Sequence, residues 1–139
     1  MSDQKKRVIL TTYLGLIPFY TASMLEIVNY KDLFFNNISN FEKIPFIYGS
    51  IIVSFLSGMQ WQKMIQNKIT NHMLLPLLPL IFVVTYDNEF FKNYSIIVII
   101  FSMFLSLLID ILVLKKINEI WFKKLRVNAT ILASISYLI

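Results

Sequence analysis

The residues best suited to chemistry are an acid, a base and an amide that stand in or beside apolar segments. Asp110 interrupts a long apolar run that begins at Ser95, and Arg126 stands at the start of the next run. Gln60 closes an earlier run, directly before Trp61. A carboxylate and a guanidinium that meet away from water neutralise each other and form paired hydrogen bonds. The glutamine amide and the indole N–H can complete such a network, because each carries a hydrogen-bonding group.

Two interpretations of these residues stay open. An ionisable residue inside an apolar membrane segment marks a functional site by default, for example a proton or ion path. A buried Asp–Arg pair can instead join helices without performing any chemistry. Trp61 and Trp121 also fit as anchors at a membrane–water interface, where aromatic rings settle. The polar cluster that we predict comprises Gln60, Trp61, Asp110, Trp121 and Arg126.

The composition indicates a membrane protein. Of the 139 residues, 57% are hydrophobic and only 15% are charged, whereas soluble domains carry about 25% charged residues. Cysteine is absent and His72 is the only histidine, which excludes thiolate sites and disfavours a histidine-based metal site. Sequence motifs of phosphate-binding loops, zinc hydrolases and serine esterases are missing. We therefore expect neither a cofactor nor enzymatic activity.

The apolar segments predict an all-α fold. A transmembrane helix needs about 20 residues, and continuous apolar runs do not fit the alternating pattern of a membrane barrel. The first segment follows basic residues, as a signal peptide would, but its apolar run continues further, so we predict that it is retained. The prediction is one domain over residues 1–139, an integral membrane bundle of about five transmembrane helices. They cover residues 8–28, 44–61, 72–86, 95–114 and 121–139.

The basic residues predict the orientation of the bundle, because lysine and arginine accumulate in cytoplasmic loops. Ten of them fall in the N-terminal tail and in or beside the second and fourth loops, and only three fall on the opposite side. The ten are Lys5, Lys6, Arg7, Lys63, Lys68, Lys115, Lys116, Lys123, Lys124 and Arg126, and the three are Lys31, Lys43 and Lys92. The N-terminus is therefore predicted to be cytoplasmic and the C-terminus outside. The net charge of +5 is attributed to topology and not to nucleic-acid binding.

Small and polar residues predict which helix faces pack together, since close approach and hydrogen bonds drive helix association in lipid. Residues four apart share a helix face. The second helix carries such a stripe and is expected to be central, while Asp110 shares a face with two serines of the fourth helix. The predicted packing residues are Gly15, Ser50, Ser54, Gly58, Ser102 and Ser106.

Several blocks of the sequence resemble one family in type and order. They are LGLIPF (Leu14 to Phe19), YGSIIVSFLSGMQW (Tyr48 to Trp61), LLPLLPL (Leu74 to Leu80), Asp110 and WFKKLR (Trp121 to Arg126). Over nearly its whole length the chain resembles the multi-span family, a domain of unknown function, that includes the animal protein transmembrane protein sixty-nine and proteobacterial homologues. The resemblance implies a small helical inner-membrane protein and no particular activity. The family pattern has histidine where this chain has Gln60, which favours hydrogen bonding over acid–base chemistry at that position.

The expected function is that of an accessory, assembly or interaction protein in the bacterial inner membrane. Its expected partners are the lipid bilayer, anionic lipid headgroups at the basic cytoplasmic rim, and another membrane protein or complex or a second copy of the chain. The alternative is a transporter or a proton or ion path that uses the intramembrane Asp110. A membrane enzyme that acts on lipid through Asp110 and the basic rim is a third interpretation.

Overall fold

The computed structural model describes residues 3–27, 44–85 and 94–138. Within these ranges the chain forms helices and no strand, which confirms the predicted all-α class for the part described. In chain order they are α1 (Asp3–Leu14), α2 (Ile17–Ile27), α3 (Ile44–Gln66), α4 (Leu77–Thr85), α5 (Ser95–Leu108), a π-helical turn (Ile109–Val113) that continues α5, and α6 (Ile120–Ser136).

The first predicted helix, 8–28, is divided into two. The backbone changes to a tighter turn where the Leu16 N–H donates to the Tyr13 carbonyl at 3.0 Å and the Phe19 N–H donates to the Leu16 carbonyl at 3.1 Å. Pro18 explains the break, because it lacks an N–H and its ring clashes with the carbonyl four residues earlier, that of Leu14, where α1 ends. Residue 28, the predicted end, lies outside the described residues.

The second predicted helix, 44–61, is described from Ile44 onward and continues to Gln66. The loss of hydropathy after Trp61 is not a stop signal, because polar residues propagate a helix as well as apolar ones do. A left-handed residue ends the helix: Lys68 has φ 56°. Its N–H donates to the Ile65 carbonyl at 3.1 Å and the Ile69 N–H donates to the Met64 carbonyl at 2.9 Å, which is a Schellman cap.

The remaining predicted boundaries also differ from those in the structure. The third predicted helix, 72–86, begins only at Leu77, because the preceding residues form turns around Pro76; residue 86 is not among the described residues. The fourth, 95–114, starts at Ser95 and ends in the π-helical turn, where the Leu114 N–H reaches the Ile109 carbonyl at 3.1 Å. The fifth, 121–139, is seen as α6 up to Ser136.

The helices pack around two apolar clusters. We call the first the Phe19 cluster; it joins α2, α3, α4, α5 and α6. Its buried members are Leu16, Phe19, Val53, Val83, Ile99, Met103 and Ala133. The second, the Met64 cluster, contains Met64, Ile109 and Leu114. Along α3 and α5, buried polar side chains occupy the layer between the two clusters.

The outside of the bundle is largely apolar. Large hydrophobic side chains are exposed on each described helix, among them Leu10, Met24, Phe55, Val84, Ile97, Leu112 and Ile131. Within the described residues, one helix is long and apolar enough to cross a membrane, the continuous Ser95–Val113, with a mean hydropathy of 2.9. α2 and α4 extend over only 11 and 9 described residues, fewer than the roughly 20 that a span requires.

Candidate functional site

A buried ion pair joins the end of α5 to α6. The Arg126 Nε donates to Asp110 Oδ2 at 2.8 Å, and the side chains are only 9% and 4% exposed. The other carboxylate oxygen, Oδ1, accepts from Asn118 Nδ2 at 3.3 Å. The two charges neutralise each other. Each needs its partner, because a buried ion without a counter-charge strongly destabilises the fold.

The π-helical turn shapes the backbone beneath this pair. The Leu114 N–H donates to the Ile109 carbonyl rather than to that of Asp110, its partner in a regular α-helix. The Asp110 carbonyl instead accepts from Asn118 Nδ2 at 3.2 Å. One amide group thus holds both the backbone and the side chain of Asp110. It fixes the loop between α5 and α6 against the ion pair.

Gln60 brings α3 into the same network. It is 2% exposed, and its Nε2 donates to the Ser106 carbonyl at 2.7 Å and to Ser106 Oγ at 3.1 Å. Arg126 Nη2 donates to the same hydroxyl at 3.3 Å. Ser106 therefore links three helices. We call Gln60, Ser106, Asp110, Asn118 and Arg126 the buried polar cluster.

Lys63 connects the cluster to the surface. Its Nζ donates to Asn118 Oδ1 at 2.7 Å and lies 4.2 Å from the centre of the Phe122 ring. Desolvation lowers the pKa of Lys63; Asp110 opposes this effect and Arg126 adds to it. With Lys63 included, the group holds two cations and one carboxylate. Hydrogen bonds thus run from a half-buried lysine to Gln60 in the interior.

The structure does not bring the two predicted tryptophans into the cluster. Trp61 is 45% exposed. Consecutive residues of a helix point about 100° apart, and because Gln60 points into the bundle, Trp61 points away from it. The Trp121 indole N–H donates to the Glu119 carboxylate at the surface, and Lys5 Nζ lies 5.3 Å from its ring. This hydrogen bond is the main reason that the pKa of Glu119 is lowered, with Lys5 adding to the effect. Both tryptophans keep the alternative role of interfacial anchors.

The predicted packing residues are divided between inside and outside. Ser102 and Ser106 are fully buried. Gly15 is half-buried, and its carbonyl accepts from the Tyr48 hydroxyl at 2.7 Å. Ser50 is also half-buried.

The predicted packing stripe on α3 is wrong at Ser54 and Gly58, because both residues are exposed. A Cβ added at Gly58 would meet nothing within 4 Å. The inward face of α3 instead consists of Val53, Ser57, Gln60 and Met64. The packing face of α3 is therefore rotated about the helix axis relative to the predicted one, and Ser54 and Gly58 lie on the outer surface.

Sequence reasoning missed two members of the network. Lys63 was assigned to topology alone, although it lies three residues after Gln60 and hence on the same helix face. Asn118 stands in the loop between α5 and α6, where no periodicity marks a buried position. Only the spacing of Lys63 from Gln60 could have signalled its role.

Comparison with known proteins gives one informative result. The chain has no significant match among curated proteins or solved structures. A family model described as a protein of unknown function (DUF3429) matches residues 4–139. Because this match covers nearly the whole chain, including all members of the buried polar cluster, the protein belongs to the DUF3429 family.

Proposed function

We propose that the chain is a small integral protein of the bacterial inner membrane, with about five spans and a non-enzymatic accessory or assembly role toward a membrane partner. The single observation that carries the non-catalytic part is that both oxygens of the Asp110 carboxylate accept hydrogen bonds within the bundle. One oxygen is held by Arg126 and the other by Asn118. A carboxylate so engaged, beside a buried guanidinium, is suited to joining helices rather than to exchanging protons or ions.

The exposed apolar surface supports the membrane location. Leucine, isoleucine, valine and phenylalanine side chains are exposed on the outward faces of several helices, such as Phe55, Ile97 and Leu112. Large apolar side chains exposed on every described helix fit a lipid environment better than an aqueous one. The apolar helix Ser95–Val113 supports the same location, as does the resemblance to the multi-span family that includes transmembrane protein sixty-nine.

Contacts among the basic segments support the proposed orientation. Lys5 Nζ lies 3.2 Å from a Glu119 carboxylate oxygen, which joins the N-terminal helix to the loop before α6. Lys63, near the end of α3, reaches Asn118 in that same loop. Three basic regions therefore meet at one end of the bundle, as a common cytoplasmic side requires. The three lysines assigned to the other side lie outside the described residues.

This basic end is also the proposed site for anionic lipid headgroups. Lys115 and Lys116 are exposed there, and each basic residue near a membrane surface contributes about 1 kcal/mol of attraction to anionic lipid. Thermal unfolding in nanodiscs tests this. Anionic lipid should raise the melting temperature of the wild type more than that of Lys115→Gln/Lys116→Gln, whereas zwitterionic lipid should not separate them.

The alternative is a proton or ion path through the buried polar cluster. Hydrogen bonds lead inward from Lys63 as far as Gln60, which favours a polar entry from one end. Beyond this level, however, the Phe19 cluster fills the bundle with Val53, Ile99 and Met103. A complete path needs polar groups through both halves of the membrane. We therefore favour the accessory role over the proton or ion path.

Liposome reconstitution separates the two proposals. Purified protein is placed in vesicles that contain a pH-sensitive dye, and a potassium diffusion potential is applied. The accessory role predicts no proton flux above that of protein-free vesicles, for the wild type and for Asp110→Asn alike. Flux through the wild type that disappears in Asp110→Asn would establish the path and contradict the leading proposal.

A partner is sought separately by crosslinking in intact cells. A tagged chain at its native level should crosslink and co-purify with one membrane complex at fixed stoichiometry. Recovery of the chain only as a monomer, after crosslinking that captures a known membrane complex in the same cells, would contradict the accessory role.

A further inference from the structure

Two deeply buried polar atoms, one in the buried polar cluster and one a helical turn away from it, have no hydrogen-bond partner among the residues that the structure describes. They are Ser57 Oγ and Gln60 Oε1, and both side chains are 2% exposed. Residues three apart are neighbours on one face of a helix. Buried polar atoms are almost always paired, with protein or with ordered water. Two unpaired atoms on adjacent turns therefore point to a shared missing partner.

The orientation of the Gln60 amide is fixed by its other end. Its Nε2 lies 2.7 Å from the Ser106 carbonyl oxygen, which can only accept. An amide rotated by half a turn would set two acceptor oxygens against each other at that distance, so Oε1 must point away from Ser106. The Gln60 oxygen consequently needs a donor from another direction.

The Ser57 hydroxyl also differs from three other serines on α3 and α5. Ser50, Ser54 and Ser102 each donate to the carbonyl four residues earlier, at 2.7 to 2.8 Å. Ser57 makes no such bond within the described structure. Its hydroxyl is thus free to donate to, or accept from, a bound molecule.

The surroundings select the chemistry of that molecule. A cation is disfavoured because Arg126 Nη2 and Gln60 Nε2 both contact Ser106 Oγ, at 3.3 and 3.1 Å, which places a guanidinium beside the site. Two neutral oxygens are also too few to hold a metal ion, since calcium, for example, binds six to eight oxygen ligands. An anion would be repelled by the amide oxygen of Gln60. A neutral molecule that both donates and accepts fits these restrictions.

We propose that Ser57 Oγ and Gln60 Oε1 together bind one buried water molecule. The water donates to Gln60 Oε1 and exchanges a hydrogen bond with Ser57, so that neither side chain is left unpaired. It extends the buried polar cluster by one turn of α3, up to the edge of the Phe19 cluster. This water site does not require the proposed accessory function.

A double-mutant cycle on the full-length protein in detergent tests the site. Ser57→Ala and Gln60→Met are combined, and the unfolding equilibrium constant is measured for each variant. In the wild type, Ser57→Ala should raise that constant roughly 5- to 10-fold, as expected for loss of a buried hydrogen bond. In Gln60→Met, where the water has lost its other anchor, the same change should have an effect of less than about 2-fold.

Ser54→Ala is the matched control. It makes the same substitution on the same helix, but Ser54 is exposed and bonds to the Ser50 carbonyl. Its effect should be small and equal in both backgrounds. The proposal is overturned if Ser57→Ala is neutral or stabilising in the wild type, since the hydroxyl would then have no partner. An equal loss in both backgrounds would overturn it too, because Ser57 would act without Gln60.

A direct observation covers the case in which Gln60→Met does not fold. A wild-type structure at a resolution that shows ordered water should contain a peak within hydrogen-bond distance of both Ser57 Oγ and Gln60 Oε1. A direct bond between the two side chains, or well-ordered side chains with no peak between them, would overturn the proposal.

Discussion

The ion pair of Asp110 and Arg126 is expected to act as one unit in stability. The side chains are 4% and 9% exposed, and the charged atoms are 2.8 Å apart. Removing one partner of a buried pair costs about 3–5 kcal/mol, because the remaining charge stays buried without compensation. We therefore expect Asp110→Asn and Arg126→Gln each to lower the free energy of unfolding by about that amount. This is a large part of the roughly 5–15 kcal/mol that stabilises a typical domain.

The double variant Asp110→Asn/Arg126→Gln should recover most of this loss. Both new side chains are neutral amides that can hydrogen-bond to each other, so no charge is left buried. A net loss of about 1–2 kcal/mol remains, the difference between a charged hydrogen bond and a neutral one. If the single losses sum to about 6–10 kcal/mol and the double loses about 1–2 kcal/mol, the coupling energy is at least about 4 kcal/mol.

Unfolding by SDS in mixed micelles, followed by tryptophan fluorescence, measures these free energies. Lys124→Gln serves as the control, since it removes an exposed positive charge two positions before Arg126 on the same helix. Its effect should stay within about 0.5 kcal/mol. Single losses that simply add in the double variant, or an Asp110→Asn variant as stable as the wild type, would show that the two charges do not act as a unit.

Three further predictions concern other positions. Because burial lowers the pKa of Lys63, the folded protein binds fewer protons than the unfolded one between that pKa and about 10.4. Stability should therefore rise with pH across this window, and Lys63→Met should remove the rise in unfolding titrations. Gly49→Ala should cost about 1–3 kcal/mol by overpacking, since its Cβ would overlap the Tyr137 hydroxyl. Gly58→Ala, which meets open space, should instead gain up to about 1 kcal/mol of helix propensity, and equal effects of the two changes in thermal unfolding would contradict this. A single cysteine at Lys116 in this cysteine-free chain should react with a membrane-impermeant maleimide in inside-out vesicles and not in intact spheroplasts; the reverse result would invert the proposed topology.

Several features follow from the sequence because they depend on local chemistry. Long continuous apolar segments without alternation favour helices over strands, which is why the all-α class was predicted correctly for the described residues. A lone charge in such a segment needs an opposite charge, and Arg126 at the start of the next apolar run was the predicted partner of Asp110. The division at Pro18 was not predicted, although proline removes a donor and clashes with the preceding turn.

Other features were decided only by the tertiary structure. α3 carries small residues on more than one face and apolar residues all round, so its sequence does not define which face packs. The contacts with α5 turned Ser57 and Gln60 inward and left Ser54 and Gly58 outside. Asn118 is buried because the loop between α5 and α6 folds back over the π-helical turn, a contact between distant backbone segments that has no period in sequence. The sequence by itself determined the helices and the need for a charge partner, whereas helix rotation and loop placement determined which polar groups meet.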